Sequence, residues 1–295
     1  MIGRTNTGGG GGLQDTDAIL RVIALAGSVV TITKGGVTKS DLGHENAIDN
    51  SLYDYYFIIH QSQFDSVNPW TVTATLGIGI TSDTVLINSA DEYDITLNPL
   101  VPIEYQAVEY LQSAGSARIG TNYLTSNNFG FELVAALTIT SATSGTGYYN
   151  VFGGAKDSSS GMYFMTSNPG FYFKYNNRVT FNGDASKHKY WWKYNGSNYS
   201  YGTDGTQVGT DNTEPTVGAK FALFSFMDAD GTVRSSNVLK GSIYSLKCYS
   251  GNTLNAHFVP CYRKSDSVAG MFDTISETFY TNLSGTAFVV GGDLK

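Results

Sequence analysis

Three groups of residues have the types and spacing for chemistry: acids on strands, a short Asp-x-Asp-Gly segment, and loops that mix tyrosine with asparagine. Retaining glycoside hydrolysis needs two carboxyl groups about 5 Å apart, which one strand supplies when acids recur at i, i+2 or i+4. No Glu-x-Asp-x-Glu occurs, and the apolar stretch 129–139 holds a single acid, Glu132. Gly-x-Ser-x-Gly, His-Glu-x-x-His and a phosphate loop are absent as well. His44, His60, His188 and His257 are scattered along the chain. The expectation is a protein that is not an enzyme.

Asp228-Ala229-Asp230-Gly231 places two carboxylates at i and i+2 before a glycine, as part of a calcium loop does. The third acid and the bidentate glutamate of a complete loop are missing. A hairpin turn is the better reading. Calcium is the only cofactor for which the sequence offers ligands, Asp228 and Asp230. Sugar recognition asks for flat aromatic faces beside amide and hydroxyl groups. The richest such loop is 195–201, with Asn195, Asn198, Tyr199 and Tyr201; Trp191 would extend it from the outer face of the neighbouring strand. Tyr148 and Tyr149 form a second candidate.

These residues need a scaffold, and composition points to strands. Tyr numbers 20, Phe 16 and Gly 34, while charged residues are 15%. Many aromatics and glycines with few charges favour short strands and tight turns. No segment keeps apolar residues at helical spacing for three turns, so the chain reads as all-β. Charge divides it in two. Through Asn98 there are 4 Lys/Arg against 11 Asp/Glu; beyond it there are 14 of each. An acidic module therefore precedes a neutral one, and neither carries the basic stripe that nucleic acid requires.

The expected layout is a flexible glycine-rich arm at 1–14, a small β-sandwich at 15–98, a proline-stiffened linker at 99–102 and a larger β-sandwich at 103–295. In the first sandwich the alternation marks strands at 18–26, 29–34, 37–39, 53–60, 70–76, 84–88 and 93–97, with Trp70, Val72, Ala74 and Leu76 on one face. In the second, Phe131, Leu133, Ala135 and Leu137 share a face. From 187 to 194, Lys187, Lys189, Trp191 and Lys193 point one way and His188, Tyr190, Trp192 and Tyr194 the other. Asp204-Gly205 reads as a hairpin turn. Pro260 is expected to end a strand, and Arg263 to pair with Asp266 near a turn. Cys248 should share a side with Tyr244 and Leu246, and both it and Cys261 should be buried free thiols. No run reaches about 18 apolar residues, so no membrane insertion is expected.

Val108-Glu109-Tyr110-Leu111-Gln112-Ser113 near the start of the second module, and His257-Phe258-Val259-Pro260-Cys261-Tyr262-Arg263-Lys264-Ser265-Asp266, Gly270-Met271-Phe272-Asp273 and Phe279-Tyr280-Thr281-Asn282 near its end, carry a resemblance. They resemble the two ends of a laminin-G/concanavalin A-like family found in virion proteins of phages and prophages of gut bacteria. The first module is similar to immunoglobulin-like or carboxypeptidase-regulatory-like spacers. The resemblance implies an immunoglobulin-like sandwich followed by a jelly-roll lectin-like sandwich. It implies a structural appendage of a virion (tail fibre, head fibre or baseplate component) exposed on the particle surface and attaching to host-surface glycans. A purely structural decoration protein is the alternative. Its partners would be other virion proteins, docked through the arm and first module, and further copies of itself in a homo-oligomer.

Overall fold

The computed structural model describes residues 16–25, 27–40, 44–46, 52–77, 79–97, 100–102, 104–138, 149–166, 170–173 and 177–294. The arm at 1–14 and Tyr148 lie outside them. The chain is all-β, and its contacts divide it into one unit spanning Met1–Ile103 with Leu294–Lys295 and another spanning Glu104–Asp293.

The first unit contains β1 (Ala18–Leu25), β2 (Val29–Lys34), β3 (Val37–Ser40), β4 (His44–Asn46), β5 (Leu52–Ile59), β6 (Trp70–Leu76), β7 (Gly79–Val85) and β8 (Glu92–Leu97). They form two four-stranded sheets, ordered β4-β5-β1-β8 and β3-β2-β6-β7. All pairings are antiparallel except β1 with β8, which runs parallel from Ile19↔Glu92 to Ala24↔Leu97. Strict alternation on β1 buries Ala18, Leu20, Val22 and Ala24 against Val30, Ile32, Phe57, Val72 and Ala74. Trp70 is 1% exposed at the centre of this core.

Two sequence expectations shift here. The strand expected at 84–88 begins at Gly79, because Thr81 to Thr84 lie on an edge strand whose polar residues give no apolar rhythm. Val101, assigned to the linker, is buried, and its carbonyl accepts a hydrogen bond from Ile80 N at 3.2 Å.

The second unit contains β9 (Tyr105–Ala107), β10 (Leu111–Ala114), β11 (Ile119–Leu124), β12 (Phe129–Leu137), β13 (Asn150–Ala155), β14 (Gly161–Met165), β15 (Gly170–Phe173), β16 (Asn177–Thr180), β17 (Lys187–Tyr194), β18 (Tyr199–Thr203), β19 (Thr206–Asp211), β20 (Lys220–Leu223), β21 (Lys240–Ser250), β22 (Thr253–Arg263), β23 (Val268–Asp273), β24 (Thr278–Thr281) and β25 (Val289–Val290). The larger sheet follows β19-β18-β17-β12-β21-β22-β23-β24, with β9, β10 and β25 attached at its sides; the smaller follows β11-β20-β13-β14-β15-β16. Both close on one aromatic core. Phe131 of the large sheet lies 5.1 Å from Phe152 and 5.1 Å from Phe171 of the small one, ring centre to ring centre. Burying each such ring contributes about 1.5–3 kcal/mol.

Pro260 does not end a strand: β22 runs through it. The pairing with β21 stops at Phe258 and that with β9 starts at Cys261. Pro260 O accepts from Val108 N on the β9 side. The N–H that proline lacks would therefore point into the gap between two ladders, where no acceptor waits for it. A β-bulge between Val134 and Ala135 similarly breaks the alternation of β21. Cys248 and Leu246 are buried together, but Tyr244 packs on the other side, with Lys187 Nζ 4.0 Å from its ring centre. Both cysteines are free and buried. The Asp204-Gly205 turn has positive φ at both residues, 50° and 82°, the geometry that matches strand twist in a two-residue hairpin. Arg263 binds Asp266 at 2.6 and 3.1 Å.

Candidate functional site

Alternation along β17 sends Tyr190 and Trp192 into the core and Lys187, Lys189, Trp191 and Lys193 outward. Register then decides what stands beside them. Glu132 on β12 pairs with Trp191 on one side and with Lys247 of β21 on the other. Gly130 lies opposite Tyr249. Glu132 binds Lys193 at 2.6 Å and Lys189 at 3.1 Å. Burial pulls the Glu132 carboxyl upward, but hydrogen bonds from Lys193 and Lys189 outweigh it and hold the group below its ordinary value. Burial, with the Glu132 charge second, pushes the Tyr249 phenol up to about 12.

Two glycines shape the surface. The Trp191 ring packs directly on Gly202, where an added Cβ would come within 2.6 Å of it. Gly130 lines a depression of about 110 Å³ together with Glu132, Trp192, Lys193, Tyr249, Gly251 and Asn252. Enclosed small-molecule pockets run to about 300–1,000 Å³. This one is too small to surround a ligand.

The other expected ligand residues are placed differently. Tyr199 is 2% exposed and stacks on Trp192 at 4.9 Å. Tyr201 stacks on the same indole at 5.6 Å and meets Phe181 edge-on at 5.4 Å. Both tyrosines belong to β18 and not to the preceding turn: Tyr199 is buried, and Tyr201 is half-buried with its ring packed against the core. Asn195 and Asn198 are joined side chain to side chain. Asn195 Oδ1 also accepts from Ser197 N and Asn198 N, which closes the turn and occupies both polar atoms of the Asn195 amide. Tyr149 packs against the core under Lys240 Nζ, 5.1 Å from its ring centre. Trp191 alone of the described candidates stands on an outer face with polar neighbours.

Asp228 and Asp230 lie in the turn between Met227 and Val233, which form a bridge. Asp228 Oδ1 accepts from Arg234 Nε at 2.9 Å and Nη2 at 2.6 Å. Asp230 Oδ1 accepts from Thr232 N at 2.8 Å. A guanidinium occupies the position a cation would need, and the carboxylates serve the turn. Among the described residues, no group of three or more His, Cys, Asp or Glu side chains converges as a metal site.

One constellation was not legible in the sequence. His188 Nδ1 lies 2.6 Å from Asp204 Oδ2, and Nε2 lies 3.1 Å from Ser186 Oγ and 3.0 Å from Asp184 Oδ1. Ser, His and Asp thus meet with the spacing of a nucleophile relay. The proton traffic differs. Ser186 Oγ is closer to Asp184 Oδ1, at 2.6 Å, which accepts its hydrogen. The bond to Asp204, opposed by burial and reinforced by Asp184, raises the His188 pKa, and the ring bridges the two acids. It ties the segment before β17 to the Asp204-Gly205 turn. Glu132 beside Trp191, with Lys247 across from it and Tyr249 opposite Gly130, was also missed, because this grouping comes from register across β12 and β21. No protein-family model matches the chain, and no curated protein matches it.

Proposed function

We propose that the chain is a virion appendage protein that attaches to surface glycans without turning them over, through its second unit. In this reading the first unit is an immunoglobulin-like spacer that docks on the particle, and the second is a laminin-G/concanavalin A-like jelly roll. The virion setting rests on the resemblance carried by residues 108–113 and 257–282. The observation that carries the adhesive reading is the outer face of the large sheet. There a half-buried Trp191 ring, seated on Gly202, has the Lys193 ammonium 5.9 Å from its centre and Glu132 opposite it on β12, and Lys193 and Glu132 also line a shallow depression with Tyr249 and Asn252. Aromatic stacking with hydrogen bonding is how proteins hold sugar rings. The site is a platform, so it would bind a polymer weakly at one position and strongly when many copies act together, with gains of about 100-fold or more.

A glycan array probed with the full chain, and with Trp191→Ala, tests this. The wild-type chain should retain a defined set of glycans, and the variant should lose at least tenfold in signal at unchanged melting temperature. A wild-type chain that retains none, or a variant that retains all of them, would refute the reading.

A further inference from the structure

We propose, building on the glycan-binding reading, that the outer face of the large sheet is selective for an anionic polysaccharide that bears carboxylate groups. Its contacts would be Lys189, Trp191 and Lys193 on β17, Lys247 and Tyr249 on β21, and Asn252. Charge segregation argues for it. From Pro99 onward the chain is balanced, with 14 basic and 14 acidic residues, yet this face gathers Lys187, Lys189, Lys193 and Lys247 against Glu132 and Glu109. Among these six side chains that leaves a surplus of two positive charges.

The charges are also arranged. Lys189 and Lys193 sit two residues to either side of Trp191, so all three side chains project from the same face of one strand. Glu132 fixes both ammonium groups beside the indole. One carboxylate shared by two amines leaves one of those charges uncompensated. Lys247 stands across from Glu132 with no carboxylate within ion-pair distance among the described residues. Lys187 is the least available, held over Tyr244 at 4.0 Å and near Glu109 at 3.9 Å. A chain that met Trp191 with one sugar ring would extend across β12, where a following residue's acidic substituent would lie among Lys193, Lys247 and Asn252, over the Gly130 depression. A neutral chain would leave the Lys247 ammonium without a carboxylate and Lys193 with only its share of Glu132.

Binding of the full chain to polygalacturonate, dextran sulfate, neutral dextran and duplex DNA, followed by affinity electrophoresis at 0.05 M and 0.5 M salt, tests the inference. Polygalacturonate should be retained, with at least tenfold loss at the higher salt, since screening then acts within about 5 Å. Lys193→Gln and Lys247→Gln should each weaken retention severalfold. Glu132→Gln adds one net positive charge about 6 Å from the ligand and should strengthen it about threefold; a misfolded variant would not gain affinity. Neutral dextran bound as well as polygalacturonate, without salt dependence, would overturn the anionic selectivity and leave the glycan reading standing. Failure to retain any polysaccharide would sink both. Equal retention of dextran sulfate or DNA would overturn carboxylate selectivity in favour of general polyanion binding. Self-association abolished by Lys193→Gln in sedimentation, without polysaccharide retention, would assign the face to a second copy of the chain.

Discussion

His257 should make the second unit lose stability as the solution is acidified from pH 7 to pH 5. It lies on β22 opposite Lys247, and its backbone N–H donates to Asp273 Oδ1 at 2.9 Å. Burial, with the Lys247 charge second, lowers its pKa to about 4 against an opposing pull from Asp273. The unfolded chain takes up a proton near pH 6.5 and the folded one does not until about 4, so the unfolded state binds more protons throughout that window and stability falls with pH. Between pH 7 and 5 the difference amounts to about 2 kcal/mol, and its full extent at lower pH to about 3 kcal/mol. For a unit of this size, 2 kcal/mol corresponds to roughly 4–8 °C in melting temperature. His188 works in the opposite sense: its raised pKa gives stability that is present at acid pH and lost as pH rises through its folded value. The wild-type slope is the difference of the two. Thermal melts at pH 7, 6 and 5 should therefore show a flatter acid slope for His257→Asn and a steeper one for His188→Gln. Carboxylates held low by their partners, such as Glu132, add the same small acid slope near pH 5 to wild type and variants and cancel in the comparison. An unchanged slope in His257→Asn, or a His257 resonance titrating above pH 6 by NMR, would refute the reasoning.

Tyr199→Ala removes a buried ring stacked on Trp192, so urea denaturation should show a loss of about 3–5 kcal/mol, while Trp191→Ala, on the outer face, should cost less than about 1 kcal/mol. Phe131→Ala empties the centre of the aromatic core between the two sheets and should cost about 3–5 kcal/mol in the same assay. Gly154→Ala would set a Cβ 1.8 Å from the Lys220 carbonyl oxygen. It should destabilise by about 3 kcal/mol, seen as poor soluble yield or a melting temperature lower by roughly 6–12 °C.

Much of the scaffold was legible because period-2 alternation is strong where one face is buried. Phe131, Leu133, Ala135 and Leu137 on β12, the Lys/aromatic alternation of β17, and Trp70 as a core residue all follow from it. What failed lay at places where alternation is silent or interrupted. The polar edge strand β7 has no apolar rhythm, Pro260 falls between two ladders, and the bulge in β21 turns Tyr244 outward. The end of the loop at 195–201 was not legible for a related reason. Asn195 to Tyr201 reads as one polar aromatic loop, yet the turn stops at Asn198 and Tyr199 already belongs to a strand with its ring inward. The partners of Trp191 depend on the register of four strands brought together from distant parts of the sequence, and no local pattern encodes that.

The parallel pairing of β1 with β8 has a mechanical consequence. Two strands that run the same way side by side place the entry to the first and the exit from the second at opposite ends, so tension pulls them past one another lengthwise. Six residue pairs from Ile19↔Glu92 to Ala24↔Leu97 then resist together, whereas a hairpin pulled open at its mouth yields one rung at a time. A tether under drag would profit from that geometry.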